Sequence, residues 1–349
     1  MERLPLPPDF PTEVVVLERP SAGWLPAGRW TLLGDERVRP AWEAADLPQP
    51  EGSQWVEVDE GRKRLETIGP WLERWAALPL YRQDTLLAVG GGILTDMAGL
   101  AAALFLRGIE WHAWPTTLLA QVDAGLGGKT AVNLAAGKNL AGAFHAPRRL
   151  VACRSFLGTL PARELQAGRW EVVKMALLDG DLAWAEALLA DPLPSADSIR
   201  EALRRKAVIV HRDPFEKDER RLLNLGHTLG HALEAASGHS LLHGEAVGLG
   251  LLAACALSED QDGIRFPAGF LAALARSLKP LEDHIPSWES CRPFLDRDKK
   301  AFRDTDGIPA IHSILPLPGQ GALQRPIGPD PWARAHARMA ELIARPGIP

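Results

Sequence analysis

An apolar segment that ends in three consecutive glycines constrains the fold more than any other feature of the chain. Residues 85–89, TLLAV, have the composition of a buried strand, the triplet GGG occupies 90–92, and a helical pattern begins near Asp96. A strand, a glycine turn and a helix N-terminus together form an anion site, because glycine permits close approach and the helix end offers N–H groups. The segment predicts a nucleotide diphosphate site, although a tight turn without a ligand would have the same sequence.

Two related phosphate-binding motifs do not match. A dinucleotide fingerprint starting at Gly90 would need a glycine where the chain has Thr95. Residues 128–130, GKT, resemble the end of a P-loop, but the first glycine of that motif would fall at Asp123, whose carboxylate would repel a phosphate. We therefore exclude an ATPase of the P-loop type.

The distribution of apolar residues divides the chain into two parts. Strand-like and helix-like segments alternate up to about residue 160, which indicates parallel strands joined by crossover helices. After Lys279 prolines become frequent, so we expect irregular structure there before a short terminal helix at 332–344. The alternating segments are 13–17, 30–33, 65–78, 85–89 and 96–106, and the predicted helices of the second part are 162–189, 196–210, 226–236 and 244–257.

Composition excludes several classes of protein. Of the 349 residues, 46% are hydrophobic and 24% charged, which are the proportions of a folded globular chain. No apolar run is long enough to span a bilayer, and the N-terminus lacks the pattern of a secretory signal. A net charge of −5 without a basic tail argues against nucleic acid as a partner. The three cysteines are too far apart for a disulfide framework, so we expect a cytoplasmic protein that binds small molecules or protein chains.

Lysine is scarce, which makes the few lysines informative. Only nine of the 39 basic residues are lysines, and two of them lie in a polar run at 123–139. A solvated loop has a similar composition, but lysine retained where arginine is favoured suggests a specific role. The residues of this run that could serve a polar ligand are Asp123, Gly127, Gly128, Lys129, Asn133, Lys138 and Asn139.

Histidines form the strongest local bias, because five of the ten lie between residues 211 and 243. His227 and His231 are spaced i, i+4 and would project from one helical face, and His243 follows them. Imidazoles that converge with one carboxylate can bind zinc or a similar divalent ion. Thr228 occupies the place of the glutamate in HExxH, which disfavours a protease. Two partly exposed helix histidines would have the same spacing.

A carboxylate partner for these histidines would come from elsewhere in the chain. Glu171 and Lys174, at i, i+3 in an otherwise apolar segment, share a helical face and are candidates, although an ordinary helix ion pair would look the same. A second set of polar residues has spacings of four, four and three and is interpreted as one helical wall of a pocket, although a solvated face is an alternative. This set is Glu216, Arg220, Asn224 and His227.

The chain resembles the 3-dehydroquinate synthase family of sugar phosphate cyclases, most densely from Leu86 to Val247. The resemblance implies an α/β, Rossmann-like NAD-binding domain at 1–158 and a mostly α-helical domain that binds metal and substrate at 159–349. It also implies a homodimer. The matching blocks, in chain order, are GGGILTDMAG, FLRG, PTTLLAQVDAGLGGKTAVN, GKNLAGAFHAP, LPAREL, EVVK, EKDERRLLNLGHTLGHALE, LHGEAV and DRDKK.

The resemblance also implies roles for individual residues. The implied ligands of zinc or cobalt are Glu171, His227 and His243, and His231 is the implied acid/base. The implied NAD contacts are Asp35, Glu60, Lys63, Gly90, Gly91, Gly92, Asp96, Thr116, Thr117 and Lys138. The other implied catalytic residues are Asp123, Lys129, Lys174, Glu216 and Asn224. The implied substrate-binding residues are Lys129, Lys138, Asn139, Lys206, Arg220, Lys299 and Arg107, the last contributed to the neighbouring subunit's site.

The implied reaction converts 3-deoxy-D-arabino-heptulosonate 7-phosphate into 3-dehydroquinate and phosphate, in the shikimate pathway to chorismate and the aromatic amino acids. It proceeds by transient oxidation with NAD, phosphate elimination, reduction and intramolecular aldol closure. Five of the nine lysines fall on implied positions of the substrate pocket, as a doubly anionic substrate would require: Lys129, Lys138, Lys174, Lys206 and Lys299. The alternatives are another sugar phosphate cyclase, a metal-dependent NAD polyol dehydrogenase on the same fold, and a catalytically inactive paralogue.

The chain departs from the family pattern at three positions near the implied site. Cys153 stands where the family usually has an acid, and Asp218 where glycine is common. Trp170 replaces a small residue directly before Glu171, so it could crowd the helix that carries the metal ligand. Because no implied ligand is lost, we expect an active enzyme.

Overall fold

The computed structural model describes residues 4, 6–7, 10–191, 193–238, 240–297, 301–303 and 309–346. The chain forms two compact units. The first comprises Met1–Leu165 and Ser195–Glu216, and the second comprises Gln166–Pro194 and Lys217–Pro349. None of the described helices is both long and apolar enough to cross a membrane. The domain boundary after residue 158 stays a prediction.

The first unit contains a six-stranded sheet in which all strands run parallel. Its strands in chain order are β1 (Glu13–Leu17), β2 (Trp30–Asp35), β3 (Gln54–Val56), β4 (Thr85–Gly90), β5 (Glu110–Pro115) and, after a hairpin of β6 (Lys129–Leu134) and β7 (Gly137–Phe144), β8 (Arg149–Cys153). Across the sheet the order is β1-β8-β5-β4-β2-β3. The prediction of a Rossmann-like α/β fold for this part of the chain is confirmed.

Side chains of this sheet alternate between two hydrophobic cores. Leu86 and Ala88 of β4 join one core, and Leu87 and Val89 join the other. Successive strand residues face opposite sides, so a strand covered on both faces needs apolar residues at every position. Helices α2 (Leu65–Ala77) and α3 (Gly92–Leu104) cover the first core, and α1 (Arg39–Ala44) packs Trp42 into the second.

Helix α3 begins four residues earlier than the sequence predicts. Gly91 is its N-cap, and the helix runs from Gly92 rather than from Asp96. Glycine has low helix propensity, which hides the true start from a periodicity argument. The consequence is that the glycine triplet itself forms the helix N-terminus, directly after β4.

Acid is expected to destabilise the first unit through His112 of β5. This histidine is 4% exposed, and burial, together with Arg149, lowers its pKa to about 4 from 6.5. Between about pH 6.5 and pH 4 the unfolded chain binds a proton on this histidine and the folded chain does not. The free energy of unfolding therefore decreases by roughly 2–3 kcal/mol as the pH is lowered through this range. Urea denaturation of the wild type and of His112→Gln across this pH range measures how the free energy of unfolding of each protein depends on pH. Equal pH slopes for the two proteins would contradict the assignment.

The second unit is mostly helical, as predicted. Its helices are α4 (Ala162–Leu178), which lies in this unit from Gln166 onward, α5 (Leu182–Ala190), α7 (His227–Ala236), α8 (His243–Asp262), α9 (Ala268–Leu278), α10 (Trp288–Leu295) and α11 (Pro329–Ala344). Helix α6 (Ala196–Arg212) belongs to the first unit.

The helix predicted at 162–189 is divided into α4 and α5. Gly180 separates them with a φ of +70°, a conformation that favours glycine. A Cβ atom at Gly180 would lie 2.7 Å from the backbone nitrogen of Gly319, so a larger residue does not fit. Asp181 then caps α5, its carboxylate accepting a hydrogen bond from the Trp184 N–H at 3.0 Å.

The expectation of irregular structure after Lys279 is wrong. The region contains α10 and a three-stranded antiparallel sheet of β9 (Ala301–Arg303), β10 (Pro309–Leu317) and β11 (Gly321–Ile327). Prolines in this sheet lie at or next to strand ends, where a missing N–H is tolerated, as at Pro309, Pro316 and Pro326. The terminal helix is confirmed and starts at Pro329.

Candidate functional site

The carboxyl ends of β2, β4 and β5 form the first part of the candidate site. The chain connects β2 outward to β3 on one side, whereas β4 leads through α3 to β5 on the other, so the connections diverge between β2 and β4. Open parallel sheets bind ligands at such a point, outside the carboxyl ends of their strands. Asp35 ends β2 and Gly90 ends β4, so both predicted NAD contacts lie there.

The glycine turn after β4 has the geometry of a phosphate cradle. A Cβ atom at Gly90 would lie 2.4 Å from Leu94 Cδ2, and one at Gly91 would lie 2.9 Å from Thr117 Cγ2. The N-cap Gly91 offers no side-chain cap to α3, and the Thr116 N–H donates to the Gly90 carbonyl at 3.0 Å. A bare backbone at a helix N-terminus fits an anionic ligand such as a diphosphate.

Asp35 is 3% exposed and caps a 3₁₀ turn at Glu36–Val38. Its carboxylate accepts from the Arg37 backbone N–H and from Arg37 Nε, both at 3.0 Å, and from Arg37 Nη2 at 2.6 Å. These bonds hold the carboxylate at the end of β2, where its Cβ lies 3.2 Å from the position that a Cβ on Gly90 would occupy.

A buried lysine gathers several predicted residues into one network. Lys63 is 5% exposed, and its Nζ donates to Asp96 Oδ2 and to Asn139 Oδ1, both at 2.6 Å. Asn133 donates to Glu60 Oε1 at 2.7 Å and accepts from the Asn139 N–H at 2.9 Å. Burial raises the pKa of Asp96, which the Lys63 ammonium opposes. The network links the predicted Glu60 and Lys63 to the β6–β7 hairpin.

Two further lysines pair with predicted acids in the same unit. Lys206 of α6 is 5% exposed, and its Nζ donates to both the carbonyl and the carboxylate of Asp123 at 2.5 Å. Asp123 lies in a π-helical turn at Ala120–Ala124, a local geometry that is frequent at functional sites. Lys129, at the start of β6, forms an ion pair with Glu216. Each of these two predicted substrate lysines is therefore held by a predicted acid of the same unit.

The remaining predicted residues of the first unit are more exposed. The Lys138 ammonium lies 4.0 Å from Glu60 Oε1, so it adjoins the Lys63 network. Arg107 is exposed in a turn after α3, with φ of +65°, and the neighbouring Leu106 has φ of +50°. The predicted Lys299 lies outside the described residues.

The second unit brings together the predicted metal ligands. Glu171 of α4, His227 at the start of α7 and His243 at the start of α8 offer ligand atoms that all lie within 4.8 Å of one another. The Nε2 atoms of both histidines are 3.6 Å from Glu171 Oε1. One carboxylate and two imidazoles form a donor set that zinc and cobalt accept, so the residues fit a divalent ion. The exposed ring of His231 adjoins this group, with centroids 5.3 Å from His227 and 5.8 Å from His243.

Hydrogen bonds orient both imidazoles of the cluster. His227 Nδ1 bonds to the Leu225 carbonyl at 3.0 Å, and His243 Nδ1 bonds to Glu234 Oε2 at 3.1 Å. A carbonyl or carboxylate that accepts from Nδ1–H leaves Nε2 as the nitrogen that would bind a metal, and at His243 the metal would take the place of the Nε2 proton. Sequence reasoning missed Glu234, although residues 227, 231 and 234 are spaced i, i+4, i+7 and share one face of α7.

Burial and charge act differently on the two histidines. Burial and the Lys174 ammonium lower the pKa of His227 well below 6.5, so its imidazole is neutral. Burial also lowers the pKa of His243, but hydrogen bonds to Glu171 and Glu234 outweigh it and raise the pKa to about 9. Lys174 is 1% exposed and forms an ion pair with Glu171, which neutralises a fully buried carboxylate.

Glycines allow α4, α7 and α8 to approach closely enough to form the cluster. A Cβ atom at Gly250 of α8 would lie 1.9 Å from the Gly226 carbonyl oxygen, and one at Gly244 would lie 2.0 Å from the Ala167 carbonyl oxygen. Trp170, which could have crowded α4, packs over Gly248, where a Cβ would meet its ring at 2.6 Å. The missing side chain on α8 therefore accommodates the tryptophan.

Adding one methyl group at this helix contact is expected to destabilise the protein. Gly250→Ala places a Cβ against a backbone oxygen, which cannot move aside as a side chain can, and should lower the free energy of unfolding by about 3 kcal/mol. The control is Gly269→Ala on α9, where a Cβ meets nothing within 4 Å and helix propensity predicts a gain of up to about 1 kcal/mol. Urea denaturation measures both. Equal stability of the two variants would contradict the packing argument.

The prediction of one continuous helical wall from Glu216 to His227 is wrong. Glu216 belongs to the first unit and has φ of +58°. Arg220 and Asn224 lie in a 3₁₀ helix at Glu219–Asn224, and Leu225 and Gly226 interrupt the chain before α7. A 3₁₀ segment has three residues per turn, and the left-handed Gly226 breaks the helical path, so the spacing of four, four and three does not align these side chains.

The family models match most of the chain. The model described as 3-dehydroquinate synthase N-terminal matches residues 54–167, and that described as 3-dehydroquinate synthase C-terminal matches residues 168–301. The 3-dehydroquinate synthase of Xylella fastidiosa (strain M23) is 47% identical over 212 residues, which is 57% of this chain and 57% of the relative. That of Paracoccus denitrificans (strain Pd 1222) is 40% identical over 307 residues, 83% of this chain and 80% of the relative.

A solved structure has the same fold. The 2-epi-5-epi-valiolone synthase ValA from Streptomyces hygroscopicus subsp. jinggangensis 5008, with NAD+ and Zn2+ bound, superposes with a TM-score of 0.77 and 27% identity, covering 95% of this chain and 97% of that one. The match spans the parallel sheet and the helical unit alike. With both family models matching and a 40% identical relative aligned over four fifths of its length, the chain belongs to the 3-dehydroquinate synthase family.

Proposed function

We propose that the protein is a 3-dehydroquinate synthase, which converts 3-deoxy-D-arabino-heptulosonate 7-phosphate into 3-dehydroquinate and phosphate. The convergence of Glu171, His227 and His243 from three helices carries the proposal. If these buried polar side chains served only stability, apolar side chains of similar volume would serve it better. Their burial and the orientation of the imidazoles therefore indicate a metal site. Membership of the family supplies the reaction.

The residues fit both groups that the reaction uses. Glu171, His227 and His243 would hold zinc or cobalt, and the turn at Gly90 and Gly91, with Thr116, Thr117 and Asp35, would hold NAD. NAD supplies a reversible hydride acceptor and the metal a Lewis acid that polarises the substrate hydroxyl. The chain's own residues then bind the substrate, orient it and move its protons.

His231 is the proposed acid/base. Its imidazole lies beside His227 and His243, yet the side chain is exposed, so a ring nitrogen can accept a proton from a substrate hydroxyl or return one. Lys174 and Asn224 complete the proposed catalytic set, with Lys174 holding the Glu171 carboxylate in place.

The anionic groups of the substrate need fixed cations. Lys129, Lys138 and Lys206 each lie beside an acid in the first unit, which positions the ammonium groups before a phosphate or carboxylate arrives. Glu216 and Asp123 hold two of these lysines and are the proposed partners in proton transfer. The other proposed substrate contacts are Asn139, Arg220 and Lys299.

Two copies of the chain form the proposed cytoplasmic enzyme, with NAD bound by residues 1–158 and metal by 159–349. Arg107 is the proposed contribution to the neighbouring active site. Two exposed leucines near Arg107 support this assignment: Leu104, the last residue of α3, is 50% exposed, and Leu106 in the following turn is 43% exposed. Exposed leucines next to an exposed arginine are typical of a surface that another protein chain covers.

The strongest rival is another sugar phosphate cyclase, because a solved structure that superposes on this chain, ValA, is a 2-epi-5-epi-valiolone synthase. The buried Lys206 and Arg220 favour a substrate that carries a carboxylate. Phosphate release from the heptulosonate phosphate should therefore exceed release from a matched heptulose phosphate without the carboxylate by at least about a hundredfold. Faster release from the substrate that lacks the carboxylate would reject the synthase assignment in favour of the rival cyclase.

Glu234 is expected to strengthen metal binding without touching the metal. Glu234→Gln weakens the acceptor at His243 Nδ1, so the dissociation constant for zinc should rise by about 10–100-fold. Competition with a chromophoric chelator measures this constant. Glu186→Gln, an exposed position on α5, is the matched control and should bind zinc like the wild type. Equal zinc affinities of the two variants would show that Glu234 does not contribute to metal binding.

A further inference from the structure

Three phenylalanines from distant parts of the first unit form one aromatic cluster. The ring centroids of Phe10 and Phe215 are 5.5 Å apart, those of Phe144 and Phe215 are 5.3 Å apart, and those of Phe10 and Phe144 are 6.1 Å apart. Phe10 is 3% exposed, whereas Phe144 and Phe215 are 45% and 46% exposed. Because two of the three rings remain half-exposed to water, burial in a hydrophobic core does not explain the cluster.

The aromatic cluster, defined as Phe10, Phe144 and Phe215, adjoins the Lys129–Glu216 ion pair. Phe144 of β7 lies directly opposite Lys129 of β6 in the antiparallel register, so the two side chains share one face of the hairpin. Phe215 directly precedes Glu216. The segment that carries Phe215 and Glu216 is thus joined to the hairpin at two neighbouring points, ring to ring and carboxylate to ammonium.

The backbone at this junction is strained. Glu216 has φ of +58°, in the left-handed region that disfavours residues with a Cβ. Glycine and asparagine are the residues usually found in this region, and glutamate is not. Strain of this kind persists where surrounding contacts hold the residue. Two contacts near Lys129 are of this kind. Phe215 packs on Phe144, and the Phe10 ring lies 3.1 Å from the position that a Cβ on Gly128 would occupy.

We propose that the aromatic cluster is a positioning device, which holds the Glu216 carboxylate on the Lys129 ammonium and so presents that ammonium to the substrate phosphate. The role of Lys129 and Glu216 in this statement rests on the proposed function. We assign Phe215 no contact with substrate or cofactor, so it is a positioning residue. Its effect is transmitted through Glu216.

A double-mutant cycle tests the proposal. Phe215→Ala should lower kcat/KM by about 10–100-fold, as a small displacement of a charged group does, with most of the loss in KM for the phosphorylated substrate. In the Glu216→Gln background, Phe215→Ala should cost little more, because the group that it positions is already altered. Phe215→Tyr should restore most of the activity. Phe294→Ala, at another exposed phenylalanine on α10, should leave kcat/KM unchanged.

Additive losses from Phe215→Ala and Glu216→Gln would overturn the proposal, as would a loss confined to kcat. A second cycle does not depend on activity: urea denaturation of the same single and double variants should show coupling between Phe215 and Glu216. If wild-type protein released no phosphate but this coupling were present, the proposed function would fail while the positioning contact stood. Absence of coupling would overturn the positioning role whatever the activity.

Discussion

Replacing His227 or His243 with alanine is expected to remove bound metal and with it the activity, whereas His231→Ala should retain the metal and turn over slowly. The first two histidines offer Nε2 atoms 3.6 Å from Glu171 Oε1, and their Nδ1 atoms are already bonded to Leu225 and Glu234. Loss of one ligand of three should raise the zinc dissociation constant on the order of a thousandfold. Loss of an acid/base group should cost about 10²–10⁴ in kcat instead.

Metal content of the purified variants, measured by elemental analysis, separates these outcomes. The wild type and His231→Ala should each carry close to one metal ion per chain, and His227→Ala and His243→Ala almost none after dialysis. Equal metal loss in all three variants would contradict the separate role of His231. Equal metal retention in all three would contradict the site itself.

Lys206→Met is expected to lower kcat/KM by about 10²–10³-fold, because water cannot replace the buried ammonium that we propose binds the substrate. The Lys206 ammonium donates to both the carbonyl and the carboxylate of Asp123, so its removal also takes two charge-assisted hydrogen bonds from that residue. Because the Asp123 side chain is 22% exposed, we expect the free energy of unfolding to fall by only about 2 kcal/mol.

Steady-state kinetics and urea denaturation measure the two effects of Lys206→Met separately. Lys279→Met is the control, because this lysine is 42% exposed and pairs with Glu282 on the surface of the other unit. It should match the wild type in both measurements. A Lys206→Met enzyme with unchanged kcat/KM would show that the lysine is structural and would remove it from the substrate site.

Elements with strong periodicity were predictable from the sequence. The strand at 13–17 matches β1, and the helix at 226–236 differs from α7 by one residue. Helix breaks that depend on tertiary contacts were not predictable from the sequence. Gly180 follows the end of α4 where the β10–β11 turn approaches it, and that turn lies about 140 residues further along the chain. The same reason explains the missed sheet after Lys279, since β10 and β11 are stabilised by pairing with each other rather than by local preference.

Residue types at the candidate site were predictable, but their partners were not. Spacing placed His227 and His231 on one face, yet only the fold brings Glu171 to them from α4. The pairing of Lys206 with Asp123 joins positions 83 residues apart, and that of Lys63 with Asn139 joins positions 76 apart. Glu234 could have been found from its helical face, whereas the aromatic cluster around Phe215 leaves no periodic signal in the sequence.

The ratio of phosphate released to NADH accumulated distinguishes a 3-dehydroquinate synthase from a dehydrogenase, with the heptulosonate phosphate as substrate and NAD and zinc supplied. We expect continuous phosphate release, formation of 3-dehydroquinate in equal amount and no net rise in nicotinamide absorbance, because the proposed synthase regenerates NAD in each turnover. Steady accumulation of NADH without phosphate release would contradict the account and identify a dehydrogenase.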